Sequence, residues 1–199
     1  MKIKTTSKAN KKAPWNKGQL SGQKLSLTLT QIQAIRKRLT SAQKMRDLAL
    51  FNLALDSSLN ACALVQLRVR DISKRGEIAD RLTMNSSQTS IPVQFEISDV
   101  ARESVVAWIA QQGFKPNDHL FPSRLHESPH VSTRQYARIV AGWVTLIGLD
   151  PDAYCTESLR RTKPAIMYQR SRSLLAAQLL LGHSRLRSTA RFLGIEIDK

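Results

Sequence analysis

Three cations stand close together near the start of one helical segment, "TESLRRTKPAIMYQRS": Arg160, Arg161 and Lys163. Free N–H groups and the dipole at a helix start favour a phosphate, and a guanidinium is the better phosphate clamp, whereas an ammonium is a point charge. A solvated basic face is the alternative, above all for Arg161. His183 follows Gly182 at a predicted helix end, where a single histidine is usually a local cap or a surface residue. The cations therefore indicate a phosphate site, and His183 is a candidate member of that site only if it lies close to them in the fold.

The charge of the chain indicates a polyanionic partner. The 199 residues include 31 Lys and Arg and 15 Asp and Glu, which gives a net charge of +16 and a pI near 10.5. Residues 1–46 hold 12 basic side chains and no acid, residues 158–195 hold eight and no acid, and the middle is close to balanced. This distribution favours nucleic acid over a membrane and is typical of a footprint for phosphates. A ribosomal or merely soluble basic protein is the alternative.

Cysteine content and hydropathy narrow the class of protein further. Cys62 and Cys155 stand far apart and outside any metal-binding or disulfide motif, so we expect both to pack as small apolar groups in a reducing compartment. No apolar run approaches the roughly 18 residues of a transmembrane helix, and "MKIKTTSKANKK" lacks the apolar stretch of a secretory signal. We expect a cytoplasmic, nucleoid-associated protein without a metal, a cofactor, a small-molecule substrate or a membrane partner.

Two regions are predicted along the chain. Residues 1–27 are rich in Lys, lack periodicity and contain Pro and Gly, which predicts a flexible basic arm. Trp15 either pins this arm to the domain or stacks on a base. Residues 28–199 are predicted to form one domain that starts with a helix behind Thr28. A buried helix follows and ends near Asp56, before a short turn and another helical turn.

The rest of the domain is predicted to be helical apart from one small sheet. "RVRDI" is strand-like, and "IADRLTMN" and "IPVQFEI" alternate as the two strands of a hairpin. Five helices follow, and Pro164 interrupts the third: "SDVARESVVAWIAQQG", "STRQYARIVAGWVTLIG", "TESLRRTKPAIMYQRS", "SLLAAQLLLGHS" and "SRLRSTARFLG". Their aromatic residues fall on apolar stripes and are expected in the core. The predicted class is mainly α with a small antiparallel β-sheet (α+β).

The order of these segments resembles the tyrosine recombinases, also called the phage integrase family. "ESLRRTKPAIMYQR", "LLLGHS" and "STARFLG" resemble the His-x-x-Arg, Leu-Gly-His and tyrosine boxes of that family. "LALFNLALDSSLNACALVQLRVRDI" resembles its upstream arginine box, and "TMNSSQTSIPVQFEI" resembles the hairpin that carries its lysine. The resemblance spans roughly residues 28–195 and fits a small single-domain subgroup. It implies the catalytic-domain fold of a tyrosine recombinase and DNA as the partner.

The resemblance also implies a reaction that needs a fixed set of groups. A tyrosine attacks a backbone phosphate and becomes linked to DNA, two arginines bracket the phosphate, and a lysine and histidines move protons. Four of these positions hold other residues: Phe192 for the tyrosine, Asn60 for the upstream arginine, Gln88 for the lysine (within one residue) and Glu157 for the first histidine. A family carboxylate falls on Ala63, and Tyr168 is expected to pack. Only Arg160 and His183 match the family.

These replacements predict a DNA-binding protein that has lost recombinase activity. It would repress a gene, occupy a recombination site or modulate an intact integrase, with self-association on DNA as a further option. The predicted DNA contacts are Arg160, Arg161, Lys163, His183, Arg185, Arg187 and Arg191, together with the arm. Because only "LGIEIDK" follows Phe192, exchange of C-terminal segments between subunits is not expected. Two alternatives stay open: a recombinase whose partner supplies the tyrosine in trans, and a protein-interaction module that meets an acidic protein.

Overall fold

Helices make up most of the described chain. The computed structural model describes residues 23–74, 76–85, 92–124 and 128–195. Nine α-helices lie within these ranges: α1 Leu29–Ser41, α2 Met45–Ser57, α3 Ala61–Val65, α4 Val69–Ile72, α5 Asp99–Gln112, α6 Thr133–Thr145, α7 Thr156–Ser171, α8 Leu174–Leu181 and α9 Leu186–Leu193. Four strands form two antiparallel pairs: β1 Ser73–Lys74 with β2 Glu77–Ile78, and β3 Arg81–Asn85 with β4 Pro92–Glu96. The predicted class, mainly α with small antiparallel sheets, is confirmed.

Local side-chain signals set most helix boundaries. Thr28 and Gln31 form a reciprocal capping box at the start of α1, which satisfies two backbone N–H groups that the helix itself leaves unpaired. Serine side chains begin three further helices: Ser98 for α5, Ser132 for α6 and Ser173 for α8. Glycines in the left-handed conformation follow three helices: Gly113 follows α5, Gly182 follows α8 and Gly194 follows α9. These boundaries agree with the sequence prediction.

The core is built around α2, which contacts α1, α5, α7 and β4. Every residue from Ala49 to Ser57 is buried. Phe51 meets Trp143 edge to face at 5.3 Å between ring centroids, and Trp143 meets Tyr136 at 6.3 Å. Each such pair adds about 0.5–1.5 kcal/mol beyond burial of the rings. The aromatic side chains of α6 therefore belong to the core, as predicted, and do not offer bases a stacking surface.

The sheet regions agree with the prediction only in part. β3 and β4 pair from Arg81↔Glu96 to Asn85↔Pro92, which confirms the hairpin, and the segment that joins them lies outside the described residues. "RVRDI" was predicted as a strand, and this prediction is wrong, since it contains the short helix α4. Asp71 accepts a hydrogen bond from the backbone N–H of Arg68 at 2.8 Å. The N–H groups of residues 69 and 70 donate to carbonyls of residues 118 and 116, so they are not available to a neighbouring strand.

Residues 23–27, which we call the strap, lie against the domain. Leu27 is only 2% exposed, and its N–H donates to Thr162 Oγ1 at 3.0 Å. The N–H of Leu25 donates to the carbonyl of Ala153 at 2.9 Å. The packed part of the chain therefore starts before Thr28, inside the segment that the sequence assigned to the arm. Residues 1–22, including Trp15, lie outside the described residues.

The α8–α9 corner depends on a glycine, which gives a stability prediction. Gly182 has φ +65°, and a Cβ added there would lie 2.4 Å from Val93 Cγ2 on β4. Gly182→Ala should lower the free energy of unfolding by about 2–5 kcal/mol, because left-handed backbone strain and overpacking each cost at least about 1 kcal/mol. Urea unfolding measures the loss. Gly113→Ala is the matched control, since Gly113 has the same φ and open space around it; equal losses in the two variants would refute the predicted contact with β4.

Candidate nucleic-acid interface

Three residues predicted for the site meet where α7, α8 and α9 come together. The Cζ atom of Arg160 on α7 lies 5.4 Å from the centre of the Phe192 ring on α9. The His183 ring, just after α8, meets the same phenyl ring edge to face at 5.4 Å between centroids. Gly182 ends α8 in the left-handed conformation and turns the chain so that His183 and α9 can reach α7. The structure therefore brings the two matched positions, Arg160 and His183, into contact with the ring of Phe192.

Hydrogen bonds within the protein orient the guanidinium of Arg160. Its Nε donates to the carbonyl of Ser58 at 3.1 Å, and its Nη2 donates to the carbonyl of Leu181 at 3.3 Å. Its Nη1 donates to Glu157 Oε2 at 3.3 Å and forms an ion pair. Glu157 thus places a negative charge on one edge of the guanidinium. A phosphate that approached this edge would have to displace or tolerate the carboxylate.

Arg161 faces the interior, whereas the sequence offered a phosphate contact or a solvated basic face. The residue is only 8% exposed, it donates to the carbonyl of Lys24 in the strap, and its Cζ lies 4.7 Å from the centre of the Phe192 ring. Burial lowers the pKa of its guanidinium. The prediction of a solvated face is wrong, and a phosphate contact at Arg161 stays a prediction that requires Phe192 or the strap to move.

Lys163 connects α7 with α2 and the hairpin. Its Nζ donates to the carbonyls of Asp56 at 3.0 Å and Glu96 at 3.3 Å, and it lies 3.8 Å from Asp56 Oδ1. Asp56 in turn accepts hydrogen bonds from the N–H and hydroxyl of Ser98 at 2.8 and 2.6 Å. Lys163 therefore has structural partners already, and its role as a phosphate ligand stays a prediction.

The other predicted positions are less closely grouped. Asn60 caps α3, since its side-chain oxygen accepts a hydrogen bond from the N–H of Ala63 at 2.8 Å. It lies two residues beyond Ser58, whose carbonyl binds Arg160, so this turn and α7 are adjacent. Gln88 lies outside the described residues. The three arginines of the last helical segment are exposed: Arg185, Arg187 and Arg191.

His183 is held in a way that favours its neutral form. Its Nδ1 lies 3.1 Å from Thr189 Oγ1, a buried hydroxyl on α9. Burial, and after it the charge of Arg160, lowers the pKa of His183 below its ordinary value of 6.5. Elsewhere, burial, with the charges of Arg68 and His130 after it, lowers the pKa of His119 in the same direction. Both imidazoles resist protonation in the folded state.

Acidification should therefore destabilise the fold. A histidine whose folded pKa is lowered binds more protons when unfolded, so its contribution to stability is complete above pH 6.5 and is lost as pH falls below that value. The free energy of unfolding should decrease between about pH 7.5 and about pH 5.5, and less so in the His119→Gln/His183→Gln variant. Urea unfolding at both pH values measures this, and an equally steep decrease in the variant would contradict the assignment.

A second basic region was missed by the sequence analysis. A cleft of about 510 Å³ has four arginines in its lining: Arg46, Arg124, Arg134 and Arg138. The last two stand one helical turn apart in the first turns of α6, behind its cap Ser132. Within the described ranges no ion pair involves Arg124, Arg134 or Arg138; Arg46 pairs with Asp47 at 2.8 Å. The i, i+4 spacing behind a serine cap was the available signal, but Arg46 and Arg124 join the cleft only through folding.

The part of the chain that the structure describes shows neither a metal-binding cluster nor a membrane-spanning helix. No group of three or more His, Cys, Asp or Glu side chains there is arranged to hold a metal ion. No helix in these ranges combines the length and the apolar character that a bilayer crossing requires. The side chains of the candidate interface are arginines, a lysine and a histidine, and all of these can bind a phosphate or another anion.

Comparisons with known proteins agree with the resemblance found in the sequence. Residues 26–196 match the sequence profile described as "Phage integrase family". "Probable integrase/recombinase YoeC" of Bacillus subtilis (strain 168) is 28% identical over 171 residues, which are 86% of this chain and 89% of that protein. These matches cover nearly all of the described residues.

Solved structures share the fold at low sequence identity. The crystal structure of XerA recombinase superposes with a TM-score of 0.71 at 14% identity, over 88% of this chain and 61% of that one. A lambda integrase dimer bound to a COC' core site gives a TM-score of 0.62 at 20% identity, over 88% of this chain. This chain spans 61% of the XerA chain and 50% of the lambda integrase chain.

Proposed function

Because the chain belongs to the phage integrase family, the tyrosine recombinases, we propose that it binds DNA and does not cleave it. The observation that carries this proposal is the phenyl ring of Phe192, which lies 5.4 Å from Arg160 Cζ and 5.4 Å from the His183 ring. The family resemblance puts the attacking tyrosine at this position. A phenyl ring has no hydroxyl, so it cannot form a bond to phosphorus.

The surroundings of Phe192 support the loss of activity independently. Glu157 stands where the resemblance puts a histidine, and its side chain pairs with Arg160 at 3.3 Å. Asn60 stands where the resemblance puts a second arginine, and its side chain caps α3. When groups act as one catalytic unit, losing one of them can cost about as much activity as losing all. The loss of a nucleophile and an arginine together therefore leaves no useful turnover.

The remaining basic surfaces support a DNA-binding role. Exposed arginines on α9 and in the cleft beside α6 have the charge that backbone phosphates require. The strap reaches α9 through Gln23, so the first described residue lies next to a second basic segment, and residues 1–22, which precede it in the sequence, include six lysines. Structural relatives include XerH bound to its difH substrate, with a TM-score of 0.69. These features together favour DNA over an acidic protein.

The biological role that fits these properties is that of a regulator or an occupant of a recombination site. A protein that binds DNA at a recombination site without cleaving it blocks the access of an active recombinase to that site. It can also mix with an intact integrase, or with further copies of itself, on the same DNA. An active recombinase that receives its tyrosine from a partner in trans is the second candidate, because Arg160 and His183 are still in place beside Phe192.

DNA binding should be strong at low salt and weaken steeply as salt rises. The affinity for a short DNA duplex should fall at least about tenfold between about 50 mM and about 200 mM salt, since each phosphate contact releases about one counterion. Gel shifts at rising salt measure the slope of log affinity against log salt. No binding even at the lowest salt would overturn the proposed function.

Two further measurements separate the rival functions. A nicked suicide duplex traps any phosphotyrosine link. An adduct of the native chain itself would revive the enzymatic alternative. So would an adduct of an integrase that keeps its tyrosine but lacks its active-site arginines, if that adduct forms only when this chain is added. A pull-down with and without nuclease separates DNA from an acidic protein partner. Partners that are retained after nuclease treatment would favour the protein-interaction module.

A further inference from the structure

The C-terminal end of α9 is held by the strap, which is distant from it in sequence. Gln23 Nε2 donates to the carbonyl of Phe192 at 2.6 Å and to the carbonyl of Arg191 at 3.3 Å. The last carbonyls of a helix lack partners within the helix, so a side-chain amide from elsewhere in the chain caps α9. We propose that the strap is a latch that fixes α9, and with it the ring of Phe192, against α7.

The opposite side of the latch is anchored in α7. Leu27 is buried, and its N–H donates to Thr162 Oγ1 at 3.0 Å, while that hydroxyl donates to the carbonyl of Ser158 at 2.7 Å. The carbonyl of Lys24 accepts a hydrogen bond from Arg161. The strap therefore connects α7 with α9, because Gln23 contacts α9 while Lys24 and Leu27 contact α7.

Arg161 connects the strap with the ring of Phe192, since it contacts both. Its guanidinium lies between the carbonyl of Lys24 and the phenyl ring, with Cζ 4.7 Å from the ring centre. A cation over an aromatic face in a partly desolvated site contributes on the order of a tenfold change in an equilibrium. Displacing the strap would therefore remove a hydrogen-bond acceptor from Arg161 and loosen its contact with Phe192.

α9 packs against α7 and α8, but it is short and only partly buried. The helix has eight residues, Leu186–Leu193, and only Thr189 and Ala190 in it are buried. A helix this short is marginal without tertiary contacts. Gly194 fits the latch as well, since a Cβ at this position would lie 2.7 Å from Gln23 Oε1. The residue that follows α9 is thus one that leaves room for the strap.

The latch sets the position of three arginines that the proposed function assigns to DNA. Arg185 precedes α9, and Arg187 and Arg191 are part of it. The existence of the latch does not depend on DNA binding, so it can be measured in the free protein. A failure of the proposed function in gel shifts would leave the latch intact, and a failure of the latch would leave DNA binding to be judged separately.

Hydrogen exchange in the full-length chain tests the latch. In Gln23→Glu the donor becomes a carboxylate that faces two carbonyls, so amides of residues 190–195 should exchange about 2- to 10-fold faster, the range for one lost hydrogen bond. Amides of α5, which shares no hydrogen bond with the strap in the described part of the chain, should keep their native rates. Unchanged exchange at residues 190–195 would refute the latch. An equal increase in α5 would also refute it, because it would show that the strap stabilises the whole domain and not α9 in particular.

A double-mutant cycle adds a second readout that does not rely on Gln23→Glu alone. Gly194→Ala should raise the exchange of the 190–195 amides in the native background, because the new Cβ displaces the amide of Gln23 and adds backbone strain. In a Gln23→Ala background the same substitution should have a smaller effect, because only the backbone strain at φ +74° is left. Equal effects in both backgrounds would show that Gln23 and Gly194 are not coupled and would contradict the proposal.

Discussion

A covalent protein–DNA adduct should form when the four groups that the family resemblance implies at residues 60, 88, 157 and 192 are introduced together. The variant Asn60→Arg/Gln88→Lys/Glu157→His/Phe192→Tyr carries the nucleophile, both arginines and the proton-transfer groups that the family resemblance implies. Adduct formation should rise from below detection by a factor on the order of 10⁴ or more, since groups that act as one unit recover activity only as a set. Arg160 and His183 already stand beside residue 192, so the new hydroxyl would enter a partly formed site.

Single restorations should fail, for reasons visible in the structure. Phe192→Tyr adds an attacking oxygen, but Glu157 keeps its charge on Arg160 at 3.3 Å and the second arginine is absent. Asn60→Arg alone adds a guanidinium and removes the cap of α3, which costs about 1 kcal/mol. Circular dichroism and urea unfolding check that each variant is folded before its activity is judged.

The measurement uses nicked duplexes whose sequences the native chain has selected from a random pool. Cleavage at the nick releases a short strand and leaves the protein attached, which a denaturing gel resolves. An adduct with Phe192→Tyr alone would contradict the argument, because it would show that the other three replacements are compatible with catalysis. No adduct with the fourfold variant, if it is folded and binds DNA, would show that further parts of the site have been lost.

Local signals explain why most elements could be predicted from the sequence. A serine or threonine cap, an apolar stripe and a terminal glycine all act within one helix, as for α5 between Ser98 and Gly113. α4 could not be predicted in this way. Its N–H groups bind carbonyls of residues 116 and 118, and a partner almost fifty residues away leaves no trace in the local pattern.

Arg160, His183 and Phe192, which the sequence placed in one candidate site, share one set of contacts; their role in DNA binding stays a prediction. The direction in which each cation points was not predictable. Arg161 turns inward because the strap supplies the carbonyl of Lys24, and Lys163 turns toward β4 because Glu96 supplies another. Sequence spacing gives the angular position of a side chain on a helix, but which neighbour covers that position is decided by tertiary packing.

DNA affinity should depend strongly on the arginine cleft beside α6. Arg134 and Arg138 are exposed and face the same cleft as Arg46 and Arg124. The start of α6 adds the positive end of a 13-residue helix to this region. By contrast, Arg160 and Lys163 already donate hydrogen bonds to backbone carbonyls of the protein. Arg134 and Arg138, which form no ion pair within the described residues, are therefore better placed to bind phosphates than Arg160 and Lys163.

Reversing two of these charges is the sharpest test of that argument. Arg134→Glu/Arg138→Glu should weaken binding to a short duplex by roughly 10²–10³-fold at low salt and reduce the salt slope by about two, because two phosphate contacts become two repulsions. Lys74→Glu/Lys115→Glu is the control, since both lysines are exposed and outside the cleft and the net charge changes equally. If both variants lose the same affinity, overall charge and not the cleft governs binding; if only the first loses it, α6 lies on the DNA.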